Sequence, residues 1–279
     1  MIHLRDGNPE SLTSARQFKF ENQIGEVHMS KALLKSPLGI LRLLIVIAIL
    51  ITVVLVQVFV GVYSPNWIFL SGSGMIVILA LVNFVDRRQD DELSRFTLFM
   101  FIAMLVCFIA DLLMAGVFYV IPADVSIRSL INGVLFFLLG HVIYLFALRN
   151  RSPLLFRSES PKLITRNLLI WIISIAGVFV LFYLTLFDPN DLIISIGLLG
   201  YGIFLTSSLA FSITKWFDEF PPKFALSLII GFLLFFISDY ILGLSILQGI
   251  SFSGIEAVGV TYLLGQLFIH LSPIFASKQ

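Results

Sequence analysis

Eight long apolar stretches, separated by short polar ones, run through this chain. They are Ile40–Val62, Trp67–Phe84, Phe96–Val120, Leu130–Leu148, Leu168–Phe187, Leu192–Ile213, Phe224–Leu247 and Ile255–Phe275. A helix needs about 20 mostly apolar residues to cross a bilayer, and each stretch is of that order. A transmembrane β-barrel would show alternating segments about 10 residues long, whereas these runs are continuous. The breaks carry turn chemistry: Ser64-Pro65-Asn66, Asp188-Pro189-Asn190-Asp191 and Phe220-Pro221-Pro222. The pattern predicts an all-α, polytopic membrane helix bundle with eight transmembrane helices. It divides the chain into a polar tail over residues 1–39 and an eight-span membrane domain over residues 40–276. The first apolar run begins too late, and is too long, for a cleaved signal peptide, so it reads as a true span.

Composition agrees and removes other classes. The 279 residues are 58% hydrophobic and 13% charged, against about 45–50% and about 25% in an ordinary soluble domain. So few charges do not cover a soluble fold of this size, which excludes a cytosolic enzyme, a nucleic-acid binder and a disordered chain. The single cysteine, Cys107, excludes an internal disulfide and a cysteine-based metal cluster. It lies in an apolar run and reads as a small buried hydrophobe.

Lysine and arginine set the orientation. The tail, the first turn of span one, the connections after spans two, four and six, and the C-terminus hold 17 of the 18 basic residues. Arg5, Arg42, Arg87, Arg88, Arg149, Arg166, Lys215 and Lys278 are among them, and the opposite connections hold only Arg128. Both termini are therefore expected in the cytoplasm, as an even number of spans also requires.

The chain carries an internal echo. Span three reads Phe108-Ile109-Ala110-Asp111 and span seven reads Phe236-Ile237-Ser238-Asp239. Gly140-His141 in span four is matched by Gly265-Gln266 in span eight. Asp111 lies 16 residues after Arg95, and Asp239 lies 16 after Lys223. Two four-helix repeats are expected, with the same orientation because four is even.

Within the spans, polar side chains are few. A carboxylate there costs at least about 2.5–3.5 kcal/mol on insertion scales and usually faces the bundle interior. Asp111 and Asp239 sit roughly 12–13 Å from the outer ends of their spans at the helical rise. On the same rise His141 and Gln266 are roughly 16 Å down, and Tyr201 and Tyr262 roughly 10–14 Å. One polar cavity at a single level is expected. His141 and Tyr144 share a helix face, as do Tyr262 and Gln266, whose stripe His270 extends by a turn without an assigned role. Gly133, Gly140, Gly200, Gly202, Gly231, Gly243 and Gly265 permit close helix approach. Glu256, at the outer end of span eight, is expected to be solvated.

Taken together, these segments resemble the YhhN-like lysoplasmalogenase family. The matching positions are Asp111-Leu112-Leu113, Gly133 with Gly140-His141-Val142-Ile143-Tyr144, Gly200-Tyr201, Phe236-Ile237-Ser238-Asp239, and Tyr262 with Gln266. The chain departs from the family in three places. Ala110 stands where a glycine is common, Asn83-Phe84-Val85-Asp86-Arg87-Arg88 replaces a region that commonly holds Lys-Pro, and the N-terminal tail is long. The resemblance implies a cofactor-independent membrane hydrolase. Its reaction is cleavage of the vinyl-ether bond of a lysoplasmalogen to a fatty aldehyde and a glycerophospho-alcohol, with the two membrane aspartates as catalysts.

Vinyl ethers hydrolyse by acid. A proton reaches the β-carbon, water adds to the resulting oxocarbenium ion, and the hemiacetal collapses. Two carboxyls can serve as acid and base around such an ion, as in glycosidases, and a pair of this kind titrates jointly. Asp111 and Asp239 are the expected catalytic pair, and His141, Tyr144, Tyr201, Tyr262 and Gln266 the expected water- or substrate-positioning groups. No seryl or cysteinyl nucleophile motif is present. The expected partners are a lysophospholipid substrate and membrane lipid, with no nucleic acid, obligate protein partner, metal or cofactor. A proton-coupled transporter using the same aspartates is the alternative, although the prolines fall in the tail, loops and span ends rather than mid-span. A zinc-dependent lipid hydrolase is another, but of the four histidines only His141 and His270 lie in spans, at different depths.

Overall fold

A computed structural model describes residues 36–59, 66–90, 93–122, 128–149, 161–190, 192–217, 220–248 and 256–276. Most of the expected tail, the Ser64-Pro65 turn and the basic residues Arg151, Arg157 and Lys278 lie outside them. Two compact units are distinguished, residues 1–44 with Gln279, and Ile45–Lys278. Of the first, the described part is the opening of a helix, where the Gly39 N–H donates to Ser36 Oγ at 2.9 Å. The remaining description concerns the second.

The described residues form eight α-helices, all long and apolar enough to cross a membrane, with no strand among them. They are α1 (Pro37–Val58), α2 (Asn66–Arg87), α3 (Ser94–Met114), α4 (Arg128–Arg149), α5 (Pro161–Thr185), α6 (Leu192–Lys215), α7 (Pro222–Gln248) and α8 (Ala257–Leu271), followed by a 3₁₀ turn over Ser272–Phe275. The protein is a multi-pass helical membrane bundle. α8 is the most enclosed of the eight helices and α5 the least.

Several helix ends differ from the sequence expectation, α5 beginning seven residues early at Pro161, and two of the differences have a clear cause. The apolar run of span three continues to Val120, but α3 stops at Met114. Gly116 adopts φ +75°, and its N–H and that of Val117 return to the carbonyls of Leu113 and Leu112. This is a Schellman stop, in which glycine takes the left-handed position. Asn132 of α4 then holds the outgoing chain: its Oδ1 accepts from Val120 and Ile121 N–H, and its Nδ2 donates to Ile121 O. Asp111 consequently lies one turn from its helix end. At the other difference, Pro273 has no N–H to continue the α8 ladder, and the chain tightens to 3₁₀ geometry there.

The internal echo is reflected in the packing of α2–α4 and α6–α8, although the α5–α6 pairing has no α1–α2 counterpart of similar extent. α3 lies along α4, and α7 along α8, as the two most extensive pairings. Between the halves α2 packs on α8 and α4 on α6. Exchanging the halves converts each of those pairings into the other. The correspondence extends to atoms. A Cβ on Gly140 would meet Ala103 O at 3.5 Å and Cys107 N at 3.8 Å, and one on Gly265 would meet Gly231 O and Phe235 N, each at 2.9 Å. Ala103 and Cys107 stand where Gly231 and Phe235 stand in the second half, each 128 positions earlier. Gly133, Gly140, Gly231 and Gly265 all serve close helix approach. Around Gly200 nothing lies within 4 Å of such a Cβ, and Gly202 and Gly243 have ordinary contacts.

Candidate active site

Asp111 and Asp239, one from each half, line the same cavity of about 160 Å³. Asp111 is buried at 2% exposure. Its Oδ2 accepts hydrogen bonds from Ser73 Oγ of α2 and, at 2.9 Å, from Tyr262 OH of α8. Asp239 is half-buried, and its Oδ2 accepts from Tyr201 OH of α6. In both residues Oδ1 makes no hydrogen bond to a described residue. Each carboxyl is thus held by one oxygen with the other left over. Ser73 and Tyr201 occupy equivalent positions, each 38 residues before its aspartate.

The repeat also identifies a difference. With Gly140 matched to Gly265, Tyr262 corresponds to Phe137. Both rings line the cavity and lie edge-on at 5.9 Å, but Phe137 has no hydroxyl to offer Asp239. Ser238, whose hydroxyl donates to Val258 O at 3.0 Å, and Glu256 complete the polar lining. Glu256 is half-buried, and it begins α8 with its own N–H donating to Gln57 Oε1 at 3.2 Å.

His141, Tyr144 and Gln266 are not among the cavity-lining residues. The rings of Phe137 and Phe235 stand between: Phe235 lies 4.7 Å from the His141 ring and 5.2 Å from that of Tyr262. Behind them is a second buried polar cluster. Tyr144 OH donates to Gln266 Oε1 at 2.8 Å and pairs with His270 Nε2 at 3.0 Å. His141 Nδ1 pairs with Ser208 Oγ at 3.2 Å, and its ring lies edge-on to Tyr201 at 5.8 Å. Three buried nitrogens here, His141 Nε2, Gln266 Nε2 and His270 Nδ1, have no hydrogen-bond partner among the described residues. The polar groups therefore form two centres, bridged by the α8 stripe Tyr262, Gln266 and His270, which covers roughly 12 Å of helix.

Sequence reasoning missed Ser73 and left His270 without a role. Each had a signal. The 38-residue spacing of Tyr201 from Asp239, carried back through the echo, ends on Ser73. The i, i+4 stripe through Tyr262 and Gln266 ends on His270, whose carbonyl also accepts from Asn83 Nδ2 at 2.6 Å. Among the described residues no three His, Cys, Asp or Glu side chains are grouped to hold a metal ion.

Chemically, the cavity offers two carboxyls in unlike surroundings, hydroxyl donors on both, and aromatic walls. Such an arrangement can exchange protons with a molecule bound between aromatic walls. The family model described as "YhhN family" matches residues 66–273. No curated protein and no solved structure matches the chain.

Proposed function

The chain belongs to the YhhN family, and from that premise we propose that it is an ether hydrolase cleaving the vinyl-ether bond of lysoplasmalogens. The products are a fatty aldehyde and a glycerophospho-alcohol. The observation that carries the reading is the convergence of Asp111 and Asp239, from opposite halves, on one cavity. In a membrane interior such carboxyls are costly and seldom without purpose.

One carboxyl delivers its proton to the β-carbon, leaving positive charge shared between the α-carbon and the ether oxygen. The other, ionised, takes a proton from the water that adds to the α-carbon. The hemiacetal then releases the glycerol oxygen as an alcohol and closes to the aldehyde, returning both carboxyls to their starting states. One water is consumed, and no electron donor or acceptor is needed. Tyr201, Tyr262 and Ser73 fix the carboxyl orientations, a positioning role in which small displacements matter. His141, Tyr144 and Gln266 act from behind, by setting the ring of Tyr201 and the register of α8. Substrate enters from membrane lipid. The protein resides in the cell membrane with both termini in the cytoplasm, and it works without a cofactor, nucleic acid or obligate protein partner.

Purified protein given a lyso vinyl-ether phospholipid beside its saturated alkyl-ether analogue tests the reading. Aldehyde is expected from the first lipid alone. Cleavage of both, or of neither, would sink it.

A further inference from the structure

Asp239 borders three cavities. Besides the large one, an apolar cavity of about 30 Å³ adjoins it through Met114, Phe137 and Leu242. A third, of about 50 Å³, adjoins the second through Leu198, Tyr201 and Gly243. The three are neighbours through these shared walls, and their lining becomes less polar from the first to the last. Glu256, Ser238 and Asp111 belong to the first. The last is walled mainly by aliphatic and aromatic side chains of α5, α6 and α7, with Leu181, Phe182 and Leu205 among them. It borders α5, the least enclosed helix, whose outer turn exposes Tyr183 and Leu184 by more than 70%. Along α6 it extends from Leu198 to Leu205, roughly 10 Å at the helical rise.

Neighbouring cavities that begin at a carboxyl and become apolar beside the least enclosed helix fit a single-chain amphiphile lying across Asp239. We propose that the groove between α5, α6 and α7 is the subsite for the aliphatic chain of the substrate. The chain lies against Leu181 and Leu198, the bond to be broken sits at Asp239, and the headgroup occupies the Glu256 end of the large cavity. This assignment rests on the hydrolase reading for the identity of the broken bond, but the chain subsite itself requires only a single-chain amphiphile.

Gly243 lines both smaller cavities. A Cβ there would meet Leu186 methyls at 3.4 and 3.5 Å, which is ordinary contact with a side chain rather than with backbone, so a larger side chain at this position enters the groove against a neighbour able to turn aside. The test compares Gly243→Leu with wild type and with Gly197→Leu, where a Cβ meets open space. Aldehyde release is measured from hexadecenyl and butenyl lyso vinyl-ether lipids. The ratio of kcat/KM for the long chain over the short one should fall at least about tenfold in Gly243→Leu and stay at the wild-type value in Gly197→Leu. A ratio unmoved in Gly243→Leu overturns the subsite.

A second readout does not depend on turnover. A saturated lysophospholipid with a diazirine midway along its chain should label peptides containing Leu181 or Leu198 in wild type, and lose that labelling in Gly243→Leu. Labelling indifferent to the substitution overturns the proposal. If wild-type protein releases no aldehyde from either lipid, the hydrolase reading fails while the labelling still decides the groove.

Discussion

In the first half of the bundle Asp111 is buried and receives hydroxyls from Ser73 and Tyr262. In the second half Asp239 is half-buried, receives one from Tyr201, and faces Phe137 where the repeat would place another phenol. The backbone frame is shared, down to the glycine contacts between α3 and α4 and between α7 and α8, so the inequality is one of side chains. A single hydroxyl, present on Tyr262 and absent from Phe137, leaves Asp111 held by two hydroxyls and Asp239, which borders all three described cavities, held by one. Identical surroundings would give two carboxyls competing for the same role. Unlike surroundings let a pair divide acid from base.

The comparison breaks most completely if either carboxyl is made neutral. Asp239→Asn and Asp111→Asn should each lower aldehyde release roughly 100- to 10,000-fold, the usual span for losing a positioned acid or base, without loss of the folded protein in detergent. The tyrosines come next. Tyr201→Phe removes the only described hydrogen-bond donor to Asp239 and should lower kcat about tenfold to a hundredfold, as expected for losing a bond to a charged or proton-sharing group. Tyr262→Phe leaves Ser73 in place on Asp111 and should lower kcat only a few-fold. Equal effects would mean the two sites are not unequal in the way their hydrogen bonds indicate. Phe137→Tyr sharpens the point from the other side. It supplies the missing hydroxyl to Asp239 and should slow turnover about tenfold by restraining the freer carboxyl, an effect that Tyr262→Phe in the same chain does not reverse.

Smaller effects belong to packing. Gly265→Ala drives a methyl against Gly231 O and Phe235 N, both backbone. It should destabilise the bundle by about 1–3 kcal/mol, visible as a lower midpoint of thermal unfolding. Its counterpart Gly140→Ala meets Cys107 Sγ first, at 2.6 Å, and a side chain can turn aside, so the loss there should be smaller. Gly200→Ala, with open space around the new methyl, should leave the midpoint unchanged.

The eight spans were legible because apolar length is a direct imprint of the bilayer on the sequence, and the aspartates were legible because charge there is so rare. Tyr201 and Tyr262 reach those aspartates. What the sequence did not disclose follows from local backbone geometry and from the third dimension. Hydropathy does not register the left-handed turn at Gly116, so the Val117–Val120 run looks like more of α3. Depth estimated along separate helices takes no account of intervening rings, so Phe137 and Phe235 divide what reads as one polar level into two centres. Ser73 is too small and too weakly polar to stand out in an apolar run, and only the repeat register singles it out. Glu256 lies at a span end, and nothing in the linear pattern ties it to the cavity that it lines with the two aspartates.

Delivery of a proton to carbon is the step that ties this pair of carboxyls to the proposed reaction. Turnover of the lyso vinyl-ether lipid in deuterated water, with the aldehyde trapped at once by borohydride reduction to the alcohol, reads that step directly. Wild-type protein should place a single solvent deuteron on the carbon next to the former carbonyl, at a rate that falls together with aldehyde release in Asp239→Asn. Aldehyde formed without deuterium at that carbon, or formed at the wild-type rate by Asp239→Asn, would contradict the account.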